Sequence, residues 1–249
     1  MPSQRTANQQ PIPILMYHQI DAAPPKGAPF RSLVVSPQSF ARQMALLKLL
    51  GYQGLSMQAL QPYLAGSKTG RVVGITFDDG YLNNLHYALP VLQRHSFSST
   101  CYVVSQRLGQ TNAWDAEIGI AQTPLMDMPQ LRTWVAGGQD VGAHTRHHVR
   151  LPQQDAATSR SEIMLCKSEL EDGLGVRVNH FCYPYGEYTA EQTELVQQAG
   201  FCTATTTQRS RCLAGEDMLQ LPRAPVARST SLLNLWMKLG TGYEDRRRA

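Results

Sequence analysis

Short apolar runs alternate with longer amphipathic stretches along most of the chain. The first run covers residues 12–17. The next regular element opens at Ser36-Pro37, where a serine cap followed by proline in the first helical position predicts a helix, and Phe40, Met44, Leu47 and Leu50 carry its apolar stripe to Gly51. A short strand near 54–55, a helix over 57–64 and a loop over 66–70 follow. Beyond them the pattern predicts strands at 72–77, 99–104, 140–143, 181–183, 201–205 and 221–226. Helices are expected between them at 85–94, 127–136 and 161–174. Thr189 and Gln192 have capping-box spacing and open another helix that runs to Ala199, and a last helix covers 232–239.

Strands alternating with helices imply a parallel sheet built of βα units. No composition break divides the chain, and 249 residues suit one α/β unit of this kind. The expected architecture is a single irregular (β/α)7–8 barrel over residues 11–240, with an open doubly wound sheet as the alternative. A flexible segment is expected over 1–10 and a basic tail over 241–249. Right-handed crossovers would bring all strand C-termini to one face. Four polar clusters end four apolar runs: His18, Asp78-Asp79, His144, and Tyr185-Gly186. A common site on one rim is the economical explanation.

Composition narrows the functional classes. A hydrophobic content of 42% and a charged content of 17% describe an ordinary globular protein. The net charge of +4 is mild, and part of it sits in Arg246-Arg247-Arg248, so no clustered basic face for nucleic acid is expected. Five cysteines with no Cys-x-x-Cys pair favour a reducing compartment. The first ten residues are polar, and no run approaches the ~20 apolar residues of a membrane span. The expected location is therefore cytoplasmic.

A carboxylate and two neutral imidazoles make a three-ligand set for a hydrolytic zinc or similar divalent ion, with positions left for water and substrate. Asp78 and Asp79 can divide the work, one binding the metal and the other taking a proton. In His144-Thr145-Arg146-His147-His148 the second imidazole ligand is open between His147 and His148, since i+3 and i+4 both lie near i on a helical turn. Tyr81, Leu82, Trp114, Phe181 and Tyr183 are candidates for an apolar wall against a sugar face or an acetyl methyl. Trp114 and Asp115 lie in a long irregular stretch, 106–124, that can form a lid.

These motifs resemble the polysaccharide deacetylase family, carbohydrate esterase family 4, with its NodB-type domain. Thr76-Phe77-Asp78-Asp79-Gly80 matches the family's T-F-D-D-G in full, and 144–148 matches H-[S/T]-x-x-H. The resemblance assigns metal binding to Asp79, His144 and His148, with zinc expected first and cobalt, nickel or manganese as alternatives. It implies Asp78 as the base, metal-bound water as the nucleophile, and the backbone N–H of Tyr185 as an oxyanion donor. The family's R-x-P-Y-G motif appears as Cys182-Tyr183-Pro184-Tyr185-Gly186, so the arginine that orients the catalytic aspartate is missing from its place. No histidine follows His180, so the family's late Leu-x-His motif is absent as well. Leu15-Met16-Tyr17-His18 stands at the start of the chain instead, as in the branch that includes poly-β-1,6-N-acetylglucosamine deacetylases, and the resemblance makes His18 the general acid.

The expected activity is metal-dependent removal of an N-acetyl group from an amino sugar in a polysaccharide, lipopolysaccharide or lipid-linked glycan, with Tyr183, Pro184, Phe181 and Trp114 contacting substrate. A catalytically inactive sugar-binding module and a metal-dependent glycosyltransferase are the competing readings. A cytoplasmic enzyme would act on an intracellular precursor, and the apolar and basic segment 232–248 would then make peripheral contact with the inner membrane or a glycolipid.

Overall fold

A computed structural model describes residues 10–248 of the chain; all of the expected flexible segment except Gln10 lies outside the described residues. In chain order the strands and helices are β1 (Ile14–Tyr17), β2 (Gln19–Ile20), β3 (Val34–Val35), α1 (Pro37–Leu49), β4 (Gln53–Leu55), α2 (Met57–Leu64) and β5 (Val72–Phe77). There follow α3 (Leu89–His95), β6 (Thr100–Val103), α4 (Met128–Ala136), β7 (Asp140–Ala143), α5 (Ala156–Leu174), β8 (His180–Cys182), α6 (Ala190–Gln198), β9 (Thr203–Arg209), β10 (Leu221–Pro225) and α7 (Leu232–Gly240).

Seven parallel strands close a ring in the order β1, β5, β6, β7, β8, β9, β10 and back to β1. β4 stands outside it: it pairs with the start of β5, from Gln53 opposite Val72 to Leu55 opposite Gly74, whereas β6 takes over at Thr76 and Phe77. The expected barrel is therefore present with seven strands, and the eighth run is an extra edge. β2 and β3 form a separate two-stranded sheet.

Side-chain alternation along the strands sorts residues into two apolar sets. Leu15, Tyr17, Val73, Ile75, Phe77, Cys101, Val103, Val141 and Phe181 join the main core with the helices. The intervening Ile14, Val72, Tyr102, Cys182 and Leu221 form a smaller second cluster. The barrel is tight there. A Cβ on Gly142 would lie 2.3 Å from the Tyr102 ring and 2.9 Å from the His180 carbonyl, so β7 can sit between β6 and β8 only with glycine at this point.

Helix starts follow local capping. The Ser36 hydroxyl accepts from the Ser39 N–H, Asp127 and Gln130 form a reciprocal capping box, and Gln192 accepts from the Thr189 N–H. α5 begins earlier than its apolar stripe suggests, because Asp155 caps it by accepting from the Thr158 N–H at 2.7 Å and its first turn, Ala156-Ala157-Thr158-Ser159, carries no large apolar side chain. The helix expected from residue 85 instead opens with a π turn, Asn84–Ala88, next to Pro90, which has no N–H to give.

The expected basic tail packs against the barrel. Glu244 is fully buried between Arg209, at 2.8 Å, and Lys238, while Asp245 meets Arg211 at 2.6 Å and Arg248 meets Glu216 at 2.5 Å. The segment carries acids as well as arginines, and those acids find cations at the end of β9, just after it and on α7. No helix among the described residues is long and apolar enough to cross a membrane.

Candidate metal and active site

The C-terminal ends of the strands converge on a cavity of about 390 Å³ lined by His18, Asp78, Asp79, His144, His148 and Tyr185, among others. Adjacent residues in a strand point to opposite sides, so two neighbouring acids would not normally face one site. Asp79 breaks the alternation by adopting φ 74° as β5 ends, in the left-handed region that side chains rarely enter. Thr145, His148 and Tyr185 also have positive φ, which makes four of the six such non-glycine residues among those described part of this one rim. Strain of this kind, of order 1–3 kcal/mol per residue, persists where surrounding contacts enforce it.

Asp79 Oδ1 lies 3.4 Å from His144 Nε2 and 3.3 Å from His148 Nε2. One ligand atom from each of the three buried residues falls within 4.8 Å of the others, a spacing suited to a common cation. His144 Nδ1 is 2.8 Å from the Cys182 carbonyl, which can only accept; in the neutral ring the proton therefore sits on Nδ1, leaving Nε2 free to bind a metal. Burial opposes charge on Asp79, yet hydrogen bonds from His144 and His148 hold its carboxyl well below the usual range. Burial pushes His148 down, toward the neutral form a metal requires. His144 moves the other way: burial disfavours its charge, but Cys182, Asp79 and Asp78 outweigh that and raise it. A bound cation would take the place of the proton this drives onto Nε2, so the donor set fits a divalent ion.

His147 and His148 face different ways, and only His148 joins Asp79 and His144. His147 turns outward to Glu162, with Nδ1 2.6 Å from Oε1, and Glu162 also accepts from the backbone N–H groups of Arg146 and His147. This α5 glutamate, which sequence reading passed over, anchors the whole loop. Within it, Thr145 Oγ1 accepts from the His148 N–H at 3.0 Å.

Asp78 is held by Arg223, the central residue of β10. The guanidinium donates to both carboxylate oxygens, at 2.7 and 2.8 Å, and also reaches the Thr76 hydroxyl, the Thr206 carbonyl and the Cys182 sulfur, the last at 3.2 Å. The arginine missing at 182 is therefore supplied from a different strand, through the space beside the small thiol. Burial opposes ionisation of Asp78, but Arg223, with His18 and His144 behind it, lowers its pKa. A hint lay in the sequence: an arginine in the middle of an otherwise uncharged strand, Leu221-Pro222-Arg223-Ala224-Pro225, needs a buried partner.

His18 follows β1 and places Nε2 4.0 Å from Asp78 Oδ2. Asn84 in the π turn fixes that corner, donating to the His18 carbonyl and accepting from the Ile20 N–H. Tyr185 projects its hydroxyl to Asp115, at 3.2 Å, and lies under the Arg150 guanidinium.

The expected substrate wall is only partly there. Tyr183 and Tyr81 line the cavity, but Phe181 is a core residue packed against Tyr183 and Phe201, because its place in β8 points it toward the helices. Pro184 is buried at the start of a short helical turn and does not line the cavity. Trp114 does not line it either; its ring stacks on His148. The irregular stretch does contribute through Asp115, Ile120, Ala121 and Thr123.

A sequence model of the family described as polysaccharide deacetylase matches residues 65–204, more than half of the chain. The chain belongs to this family. YxkH of Bacillus subtilis (strain 168) is 25% identical over 225 residues, covering 90% of this chain and 74% of its own length. The poly-β-1,6-N-acetyl-D-glucosamine N-deacetylase of Staphylococcus epidermidis is 23% identical over 213 residues, 81% of this chain and 72% of its own. Among solved structures, the Streptococcus pyogenes deacetylase PplD in complex with acetate superimposes with a TM-score of 0.80 at 24% identity, over 93% of this chain and 99% of that one. That likeness shows the shared seven-stranded barrel.

Proposed function

We propose that this deacetylase hydrolyses the N-acetyl group of an N-acetylated amino sugar within a glycan, using a divalent ion held by Asp79, His144 and His148. The observation that carries this reading is the convergence of that ligand set, the Arg223-bound Asp78 and His18 on one cavity rim. The name of the Staphylococcus relative, an N-deacetylase of an N-acetylglucosamine polymer, supports the substrate class.

A divalent ion bound there would activate water for attack and polarise the acetamide carbonyl. Asp78, kept ionised by Arg223, accepts the proton of the attacking water. The Tyr185 backbone N–H donates to the carbonyl oxygen as it gains negative charge, a contribution of about 3 kcal/mol for a well-placed donor. His18, on the open side of Asp78, delivers a proton to the departing sugar nitrogen. The buried rings of His144 and His148 and the short thiol of Cys182 leave the polar groups facing the cavity and exclude bulk water from behind them.

The inactive-module reading rested on the missing arginine, and the pairing of Arg223 with Asp78 weighs against it. The glycosyltransferase reading leaves His144, His148 and His18 without a task. The test is acetate release from N-acetylglucosamine and N-acetylgalactosamine oligomers after chelation and after re-addition of zinc, cobalt, nickel or manganese. Release that returns with an ion supports the proposal; none from any N-acetylated glycan, with the ion shown to be bound, overturns it.

A further inference from the structure

His144 and His148 are held in different ways. His144 has its distal nitrogen tied to the Cys182 carbonyl, the usual device that fixes a metal-binding imidazole. His148 has no such tie: its Nδ1 is buried and makes no hydrogen bond. An imidazole without that bond can tilt or flip unless something else confines its plane. Aromatic rings do so here. The Trp114 indole lies parallel to the imidazole, with centroids 4.5 Å apart and planes at 22°, and Tyr185 meets it nearly edge-on at 4.7 Å and 70°.

Trp114 comes from the irregular stretch between β6 and α4, far from the histidine motif in sequence, and two features pin it there. Tyr185 donates its hydroxyl to Asp115, the next residue, so the ring that flanks His148 also holds the loop that brings the second ring. Asn112 at the loop's start is buried and accepts from the Thr123 N–H at 2.6 Å, closing the loop on itself. The same loop forms one wall of the cavity through Asp115, Ile120, Ala121 and Thr123.

We propose that Trp114 is a positioning residue for the metal ligand His148, its stacked indole replacing the missing hydrogen bond at Nδ1, and that the 112–123 loop is thereby part of the metal site as well as the cavity wall. This rests on the metal reading above. It reassigns Trp114 from a substrate contact to a group that acts through a ligand, and it couples two properties that would otherwise be independent. Displacing the loop must loosen the ion, and by linkage occupancy of the ligand set must favour the closed loop.

The experiment is competition of the metal-free chain with a chromogenic chelator for zinc, together with the visible spectrum of the cobalt-loaded protein, for the wild type, Trp114→Ala, Trp114→Phe and Asp79→Ala. Removing a group that orients a ligand weakens metal binding by about ten- to a hundredfold. Trp114→Ala should show that loss and an altered cobalt spectrum, and Trp114→Phe, which keeps a stacking ring, should recover most of both. Wild-type affinity and an unchanged spectrum in Trp114→Ala, with Asp79→Ala unable to hold the ion, would overturn the inference and leave the metal reading intact. A loss that phenylalanine does not restore would also overturn it, since the effect would then lie in loop packing. A wild type that takes up neither ion would sink the metal reading, and this inference with it.

Discussion

Arg223 and Asp78 form a bidentate ion pair inside the barrel, the guanidinium fully buried and the carboxylate nearly so at the floor of the cavity. They are 145 residues apart in sequence and come from β10 and the end of β5, strands that β1 separates in the ring. A buried pair of this kind adds little net stability over apolar residues, but breaking it from one side strands the other charge. Its value here lies in keeping a carboxylate ionised in a place where burial alone would protonate it.

Arg223→Met should therefore cost about 3–5 kcal/mol of stability and most of the turnover. Arg223→Lys keeps the charge but loses the two-pronged geometry, so it should fold better than the methionine variant and still work poorly. Chemical denaturation and acetate release measured on the same preparations check both halves.

Asp78→Asn should leave metal binding near wild type, because Asp79 and not Asp78 lies between the two imidazoles, while turnover falls by a factor of about 10²–10⁴. His18→Gln should lose turnover by a similar factor with the ion retained. Metal content by elemental analysis alongside kcat separates these variants from Asp79→Ala, which should lose both. Full activity in Asp78→Asn would remove its assignment as the base.

Away from the catalytic rim, Asp140 and His180 offer a prediction for pH. Burial pushes Asp140 up to about 6, against the hydrogen bond from Thr100, and burial pushes His180 down to about 4. A carboxyl whose folded pKa is raised contributes stability at low pH that is lost as pH climbs to about 6; a histidine whose folded pKa is depressed contributes stability above about 6.5 that is lost as pH falls toward 4. In the wild type the two trends oppose each other between pH 4 and 6. Asp140→Asn removes the first trend and still accepts from Thr100, while His180 loses the carboxylate 3.9 Å from its Nε2 and stays the harder to charge, so stability relative to wild type should grow as pH rises over that window by about 1–2 kcal/mol and then level off. Melting temperatures across pH 4 to 7 give the comparison, and parallel curves would contradict it.

Gly142→Ala tests the closure of the barrel. Its Cβ would meet the rigid ring of Tyr102 and a strand carbonyl, neither of which can withdraw, so a loss of about 2 kcal/mol or more is expected. Gly142→Ala combined with Tyr102→Phe should do no better, since the clash is with ring carbons.

Much of the site was legible in the chain because its residues lie in short local motifs at strand ends. Asp78, Asp79, His144 and His18 each follow an apolar run, and a parallel barrel brings every such position to one face. Phe181 was misread as a substrate contact for a related reason: an aromatic beside a motif looks available until strand parity decides which side it faces. The segment over 241–249 read only as a basic tail because the arginines that hold Glu244 and Asp245 in place lie more than thirty residues upstream.

The order of strands and helices, the barrel class and the family motifs were determined by the sequence by itself, since periodicity, capping and motif spacing are properties of neighbouring residues. Tertiary structure alone decided which strand would supply the arginine to Asp78, that Glu162 would turn His147 outward, and that Trp114 would lie on His148. Each of these joins residues from separate elements, and such contacts depend on strand order, register and barrel closure, which no local pattern encodes.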